Sequence, residues 1–138
     1  MLCGSATAEL GIKALQDAVS KILPSPADRS AIRSADDELV AADPGAPFSA
    51  LVFKTIIDRY AGTLSVFRVV SGTLSGDTTV LDASSGERER LSKLFQLRGG
   101  EHVDISEAGP GDIVAVAKLK SVRTGHVLCA EKKGVALA

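Results

Sequence analysis

Apolar residues recur along the chain with two different periods. From Gly11, the positions Ile12, Leu15, Val19, Ile22 and Leu23 fall at i, i+3, i+7, i+10 and i+11, the spacing of one face of an α-helix. Lys13, Gln16, Asp17 and Lys21 occupy much of the other side. Pro24-Ser25-Pro26 ends the helix, because proline lacks the donor and restricts the residue before it. An isolated amphipathic helix of about a dozen residues is marginal in water, so this stripe calls for a partner surface.

Residues 27–46 read as a connector. They hold Ser30, Ser34, the acidic triplet Asp36-Asp37-Glu38 and the turn Asp43-Pro44-Gly45, with short apolar pieces at Ile32, Leu39 and Val40 that suit a brief strand. A linker straying over the surface is the plain expectation for such a stretch.

From Pro47 the texture turns to β. Ser49–Asp58 and Thr63–Ser71 are rich in Val, Phe, Ile and Thr, and the second alternates, with Leu64, Val66 and Val70 on one side and Phe67 and Val69 on the other. Further runs follow at Thr78–Ala83, Arg88–Leu97, His102–Ile105, Ile113–Leu119 and His126–Cys129. Turns at Ser84-Ser85-Gly86, Gly99-Gly100 and Gly109-Pro110-Gly111 separate them, the last read as a hairpin turn that sets register. Short strands at near-regular spacing without intervening helices predict an all-β fold, a closed antiparallel β-barrel, in which closure protects the strand edges.

Composition refines this picture. With four Phe, one Tyr and no Trp among 138 residues, the core must be built from aliphatic side chains, and the composition argues against an aromatic platform for stacking single-stranded bases. The net charge of −1 gives no global drive toward nucleic acid or anionic membranes. It divides into −3 over residues 1–46 (four basic, seven acidic) and +2 over residues 47–138 (twelve basic, ten acidic), so contact with RNA must come from a local patch. Cys3 and Cys129 lack metal-ligand spacing and make no disulfide scaffold, which points to a reduced, cytoplasmic setting. No apolar run approaches the roughly 20 residues of a membrane helix.

Phe48-Ser49-Ala50-Leu51-Val52-Phe53-Lys54, the run from Gly62 to Leu74, Gly86-Glu87-Arg88-Glu89-Arg90-Leu91, Ala108-Gly109-Pro110-Gly111-Asp112-Ile113 and Thr124-Gly125-His126-Val127-Leu128-Cys129 follow one another along the chain. In this order they resemble domain II of bacterial elongation factor G. Leu2-Cys3-Gly4-Ser5-Ala6 resembles the last guanine-recognition loop of that family's GTPase domain, and Gly11–Leu23 its final helix. The resemblance implies three parts: residues 1–26 as the end of a GTPase domain, 27–46 as linker and 47–134 as the domain II barrel. Arg59-Tyr60-Ala61-Gly62-Thr63 and Gly99-Gly100-Glu101-His102-Val103 depart from the family's usual residues and mark a divergent paralogue.

The same resemblance implies function. The chain is expected to be a noncatalytic part of a ribosome-associated GTPase acting in translation elongation, with GTP or GDP held by the full-length parent. Gly4, Ser5 and Ala6 would be an incomplete remnant of the guanine loop. Arg88, Arg90 and Lys93 would meet phosphates of small-subunit ribosomal RNA, and the barrel would dock on its own GTPase domain; membranes and DNA are not expected partners. A self-standing β-barrel interaction module sharing only the fold is the alternative.

The residues themselves set limits. The chain has no glycine loop ending in Gly-Lys-Ser/Thr, no Asp-x-x-Gly and no Asn, so this fragment lacks the parts needed to hydrolyse GTP. His102 and His126 lack companion ligands for a metal site, and Ser5 has no His–acid pair to activate it. Glu87 and Glu89 read as members of a solvated, charged strand alternating with Arg88 and Arg90, with Lys93 on the opposite parity unless a bulge intervenes. Arg68, mid-strand among apolar neighbours, reads as the anchor of a carboxylate or of a domain interface.

Overall fold

The computed structural model describes residues 1–28, 31–34, 37, 39–58, 62–99 and 101–131. Arg59-Tyr60-Ala61, Ser30, Asp36, Glu38, Gly100 and the stretch 132–134 assigned above to the barrel lie outside the described residues.

The predicted helix is α1, Ile12–Ile22. It starts at Gly11, whose φ of 74° and close approach to Cys3 (an added Cβ would lie 2.5 Å from the Cys3 carbonyl oxygen) need glycine. It ends before Pro24, with the Leu23 amide donating to Val19 O. None of its residues is buried: Leu15 is 51% exposed and Ile22 75%. Its apolar stripe has no cover among the described residues.

The connector is packed onto the β-part, which overturns the expectation of a stray linker. Strands β1 (Ile32–Arg33) and β2 (Leu39–Val40) pair as a small antiparallel ladder, and Ser34 and Val40 are buried. Pro26 seats directly against Gly111, which has no Cβ to keep it away. Further along, the Gly72 amide donates to Asp43 O at 2.8 Å, Thr73 Oγ1 to Pro44 O at 3.0 Å and Ser71 Oγ to Pro47 O at 2.8 Å.

The remaining strands are β3 (Ser49–Asp58), β4 (Gly62–Ser71), β5 (Leu74–Ser75), β6 (Thr78–Asp82), β7 (Arg88–Leu91), β8 (Leu94–Arg98), β9 (Glu101–Ile105), β10 (Glu107–Ala108), β11 (Ile113–Ala117) and β12 (Val127–Cys129). Eight of them form one antiparallel sheet in the order β7-β6-β12-β3-β4-β11-β8-β9, and β5 pairs with β10 separately. The β3–β4 pair is the longest ladder, running from Ser49 opposite Ser71 to Asp58 opposite Gly62, with a bulge at Phe53 that shifts the facing of β3.

Two predicted segments differ in kind. Arg88–Leu97 is two strands, because Ser92 and Lys93 break the ladder; β7 pairs with β6 while β8 pairs with β9 and β11. Gly109-Pro110-Gly111 is a corner, not a hairpin: it hands the chain from β10, paired with β5, to β11, paired with β4.

The core gathers the inward positions of strands far apart in this order. Ala50 and Val52 of β3, Phe67 and Val69 of β4, Val80 of β6, Leu91 of β7, Leu94 of β8, Val114 and Val116 of β11 and Leu128 of β12 form one buried cluster. Each large side chain so buried contributes about 1.5–3 kcal/mol relative to exposure. Leu91 and Leu94 can share a core only if the sheet curls. Polar ties agree: Glu89 on β7 reaches the segment after β11, and β5–β10 joins the chain just before β6 to the chain just after β9. Among the described residues, however, no ladder pairs β7 with β9. The architecture is therefore a strongly curled antiparallel sheet with one short helix.

Leu64 and Val66 lie on the face of β4 opposite the core yet are only 1% and 3% exposed, so this end of the sheet is covered on both sides. His102 of β9 approaches Asp58 of β3 at 3.8 Å and packs its ring against Phe95 at a centroid distance of 6.1 Å.

Candidate nucleic-acid interface

The three cations singled out by sequence stand at one end of the sheet, on and just after β7. That strand is presented by a rigid turn built around Asp82. Its carboxylate accepts from the Ser84 amide at 3.0 Å, Ser85 Oγ at 2.7 Å and His126 Nδ1 at 2.8 Å, while its carbonyl accepts from the Gly86 amide at 2.7 Å. A short carboxylate folding back on the next backbone amides is the usual asparagine/aspartate turn device. Here the turn is also stapled to β12 through His126. Asp82 is fully buried, and burial by itself, the largest influence, pushes its carboxyl up. The Ser85 hydroxyl, His126 and the Ser84 amide together outweigh that push, leaving it below its ordinary value. Burial, then the Asp82 charge, push the neighbouring Cys129 thiol up, so this cysteine is a buried hydrophobe and not a nucleophile.

Beyond the turn, β7 alternates. Arg88 and Arg90 face solvent; Glu89 and Leu91 face inward. Lys93 is exposed as well, since the two-residue break after Leu91 resets the facing. All three cations are paired: Arg88 with Glu131 at 3.1 Å, Arg90 with Asp77 through two bonds of 2.9 and 3.0 Å, and Lys93 with Asp104 at 3.5 Å. Such exposed pairs are worth about 0–1 kcal/mol each and exchange readily for other anions. Three cations against three carboxylates leave the patch formally neutral.

Glu89 departs from the expectation of a solvated charged strand. It is 7% exposed, and its Oε1 accepts from the Lys120 amide at 2.9 Å, the Ser121 amide at 2.7 Å and Ser121 Oγ at 2.7 Å. This carboxylate holds the segment after β11 against β7. Lys118, Lys120 and Arg123 of that segment are exposed and have no ion-pair partner among the described residues. Sequence reasoning missed them because 31 residues separate Lys120 from Glu89; the only local sign was the density of cations between Ala117 and Thr124.

Gly4, Ser5 and Ala6 lie elsewhere, in a tight loop ahead of α1. Ser5 and Leu10 exchange backbone hydrogen bonds of 3.0 Å, Ser5 Oγ accepts from the Ala8 amide at 3.3 Å, and an added Cβ at Gly4 would lie 2.6 Å from the Leu10 carbonyl oxygen. The Ala6 carbonyl accepts from the Glu9 amide. Neither they nor the arginines come together with any catalytic set; among the described residues no cluster of three His, Cys, Asp or Glu could hold a metal ion. No helix among them is long and apolar enough to cross a membrane.

The fold has known counterparts. A crystal structure from Thermus thermophilus superposes with a TM-score of 0.70 over 92% of this chain at 24% identity, a likeness of fold. The chain spans 17% of that protein's length. The profile of the family described as Elongation factor G domain 2 matches residues 47–131, from the proline that opens the curled sheet to the glutamate that pairs with Arg88. That match takes in most of the chain and every strand from β3 to β12, so the protein belongs to the elongation factor G domain 2 family.

Proposed function

We propose that this chain is a noncatalytic part of an elongation factor G-like GTPase that works on the ribosome in the cytoplasm. Residues 1–26 end the GTPase domain, residues 27–46 link, and residues 47–134 close into the domain II barrel, the β5–β10 ladder spanning the gap between the outermost strands. GTP or GDP is held by the parent, with Gly4, Ser5 and Ala6 contributing the rim of the guanine loop. The bare stripe of α1 packs into the rest of that domain.

The barrel docks on small-subunit ribosomal RNA through Arg88, Arg90 and Lys93. The observation that carries this reading is the alternation of β7, which sends two arginines outward from a turn fixed by three bonds to Asp82. A phosphate oxygen replaces a carboxylate oxygen in an exposed guanidinium pair with little reorganisation. Such contacts position a factor on RNA without reading sequence.

Ribosome affinity of the full-length factor across a salt series tests this. Arg88→Glu with Arg90→Glu should weaken binding and flatten the plot of log K against log salt by roughly 1–2 units, as expected for two lost phosphate contacts. Asp77→Asn, which frees Arg90, should strengthen binding at low salt. Wild-type affinity and slope in the double variant would remove the RNA assignment.

A further inference from the structure

The face of the sheet turned away from the core carries a second feature, unrelated to β7. Across β11, β4 and β3 the residues Ile113, Arg68 and Leu51 stand side by side, Arg68 in the middle. Ile113 is 50% and Leu51 39% exposed. Beside them, between the docked connector and the sheet, lies a cleft of about 210 Å³ walled by Pro26, Ile32 and Val40 on one side and Leu51, Arg68 and Val70 on the other. The wall is preformed, because Pro26 is seated on Gly111.

In sequence Arg68 reads as the anchor of a carboxylate or of a domain interface. It is half-buried, and no carboxylate lies within ion-pair distance of it among the described residues. A guanidinium partly withdrawn from water into apolar surroundings gains most from a counter-charge that meets its fork. The cleft is smaller than the roughly 300–1,000 Å³ that takes a whole small ligand, and suits one or two side chains. A polyanion is a poor fit, since one cation among aliphatic walls offers no track for a phosphate backbone. An aliphatic anchor with an acid beside it satisfies wall and cation together, and buried anchors beside arginine are the usual source of binding energy in protein contacts.

We propose that this cleft is a docking site for a protein segment that inserts an aliphatic side chain and sets a neighbouring Asp or Glu carboxylate on Arg68. The surface is distinct from the one around Arg88 and Arg90, so either assignment can fail without the other.

The test is selection of a random dodecapeptide library on the immobilised chain. The enriched peptides should carry Asp or Glu within two residues of Leu, Ile or Val. Their affinity should fall at least about tenfold for Arg68→Met, which keeps the apolar stem and removes the charge. Ile113→Asp changes an exposed residue and places a competing carboxylate beside Arg68, so it should abolish the same binding and carries the test if Arg68→Met does not fold. Arg88→Glu should leave it unchanged. Enrichment no better than on the bare support, peptides without an acid, or binding retained by both cleft variants would overturn the proposal. Displacement of the peptides by a random RNA pool in an Arg68-dependent manner would reassign the cleft to nucleic acid and overturn it as well.

Discussion

Asp82 and Glu89 are two carboxylates of one hairpin, both inside the protein, and each is kept there by a set of backbone and side-chain donors. Removing the Glu89 carboxylate leaves the Lys120 and Ser121 amides and the Ser121 hydroxyl without their acceptor. Glu89→Ala should therefore lower the free energy of unfolding by about 1–3 kcal/mol in a urea titration; a loss under about 0.5 kcal/mol would mean the three bonds are replaced by water. Asp82 makes a pH prediction. Its carboxyl is held below the ordinary value of 3.8 in the folded protein, so the folded state favours the ionised form. The stability this supplies is present in full above that ordinary value and is lost as pH falls through the lower, folded one. Asp82→Asn removes that dependence. The gap in stability between wild type and Asp82→Asn should be widest near neutrality and shrink on acidification below about pH 4, and a gap constant with pH would contradict the assignment.

At the scale of elements, the decisive contact is between the connector and the corner before β11. Pro26 occupies the space a side chain at Gly111 would fill, and Gly111 has a φ of 95°. Gly111→Ala should push the connector off the sheet: limited proteolysis within residues 27–46 should quicken several-fold while the sheet still unfolds cooperatively. Unchanged cleavage would show that the connector is held by its later bonds to Asp43, Pro44 and Pro47 alone. Helix α1 behaves differently, for it buries no residue and is short for a free helix. Its amides in this chain should exchange with solvent near the rate of an unfolded peptide, whereas those of β3 and β4 are protected to the level of global unfolding. Protection of α1 equal to that of the strands would require a cover that the described residues do not provide.

For the whole molecule, two surfaces emerge with opposite chemistry. Around β7, exposed cations exchange partners at low cost and sit on a turn stiffened by buried polar bonds. On the outer face of β3, β4 and β11, a single half-buried arginine stands among aliphatic residues. The apolar stripe of α1 is a third face, bare among the described residues.

Periodicity alone located α1 and the long strands, since a 3.6-residue stripe and alternating β-branched runs are local properties that survive without knowledge of the fold. The guide to Arg88 and Arg90 was equally local: period two on one strand sets them on one side. What tertiary structure decided was everything that depends on distant partners. Ser92 and Lys93 break what reads as one strand because β7 and β8 pair with different neighbours. Glu89 reads as a surface charge until the segment at Lys120 and Ser121, far along the chain, supplies three donors. The connector looks like a tether until glycine at 111 leaves room for Pro26. Arg68 reads as the anchor of a carboxylate or of a domain interface, and only packing sets it beside a cleft walled by Pro26, Ile32 and Val40. Burial and hydrogen-bond partnership are fixed by contacts remote in sequence, and pattern along the chain carries no record of them.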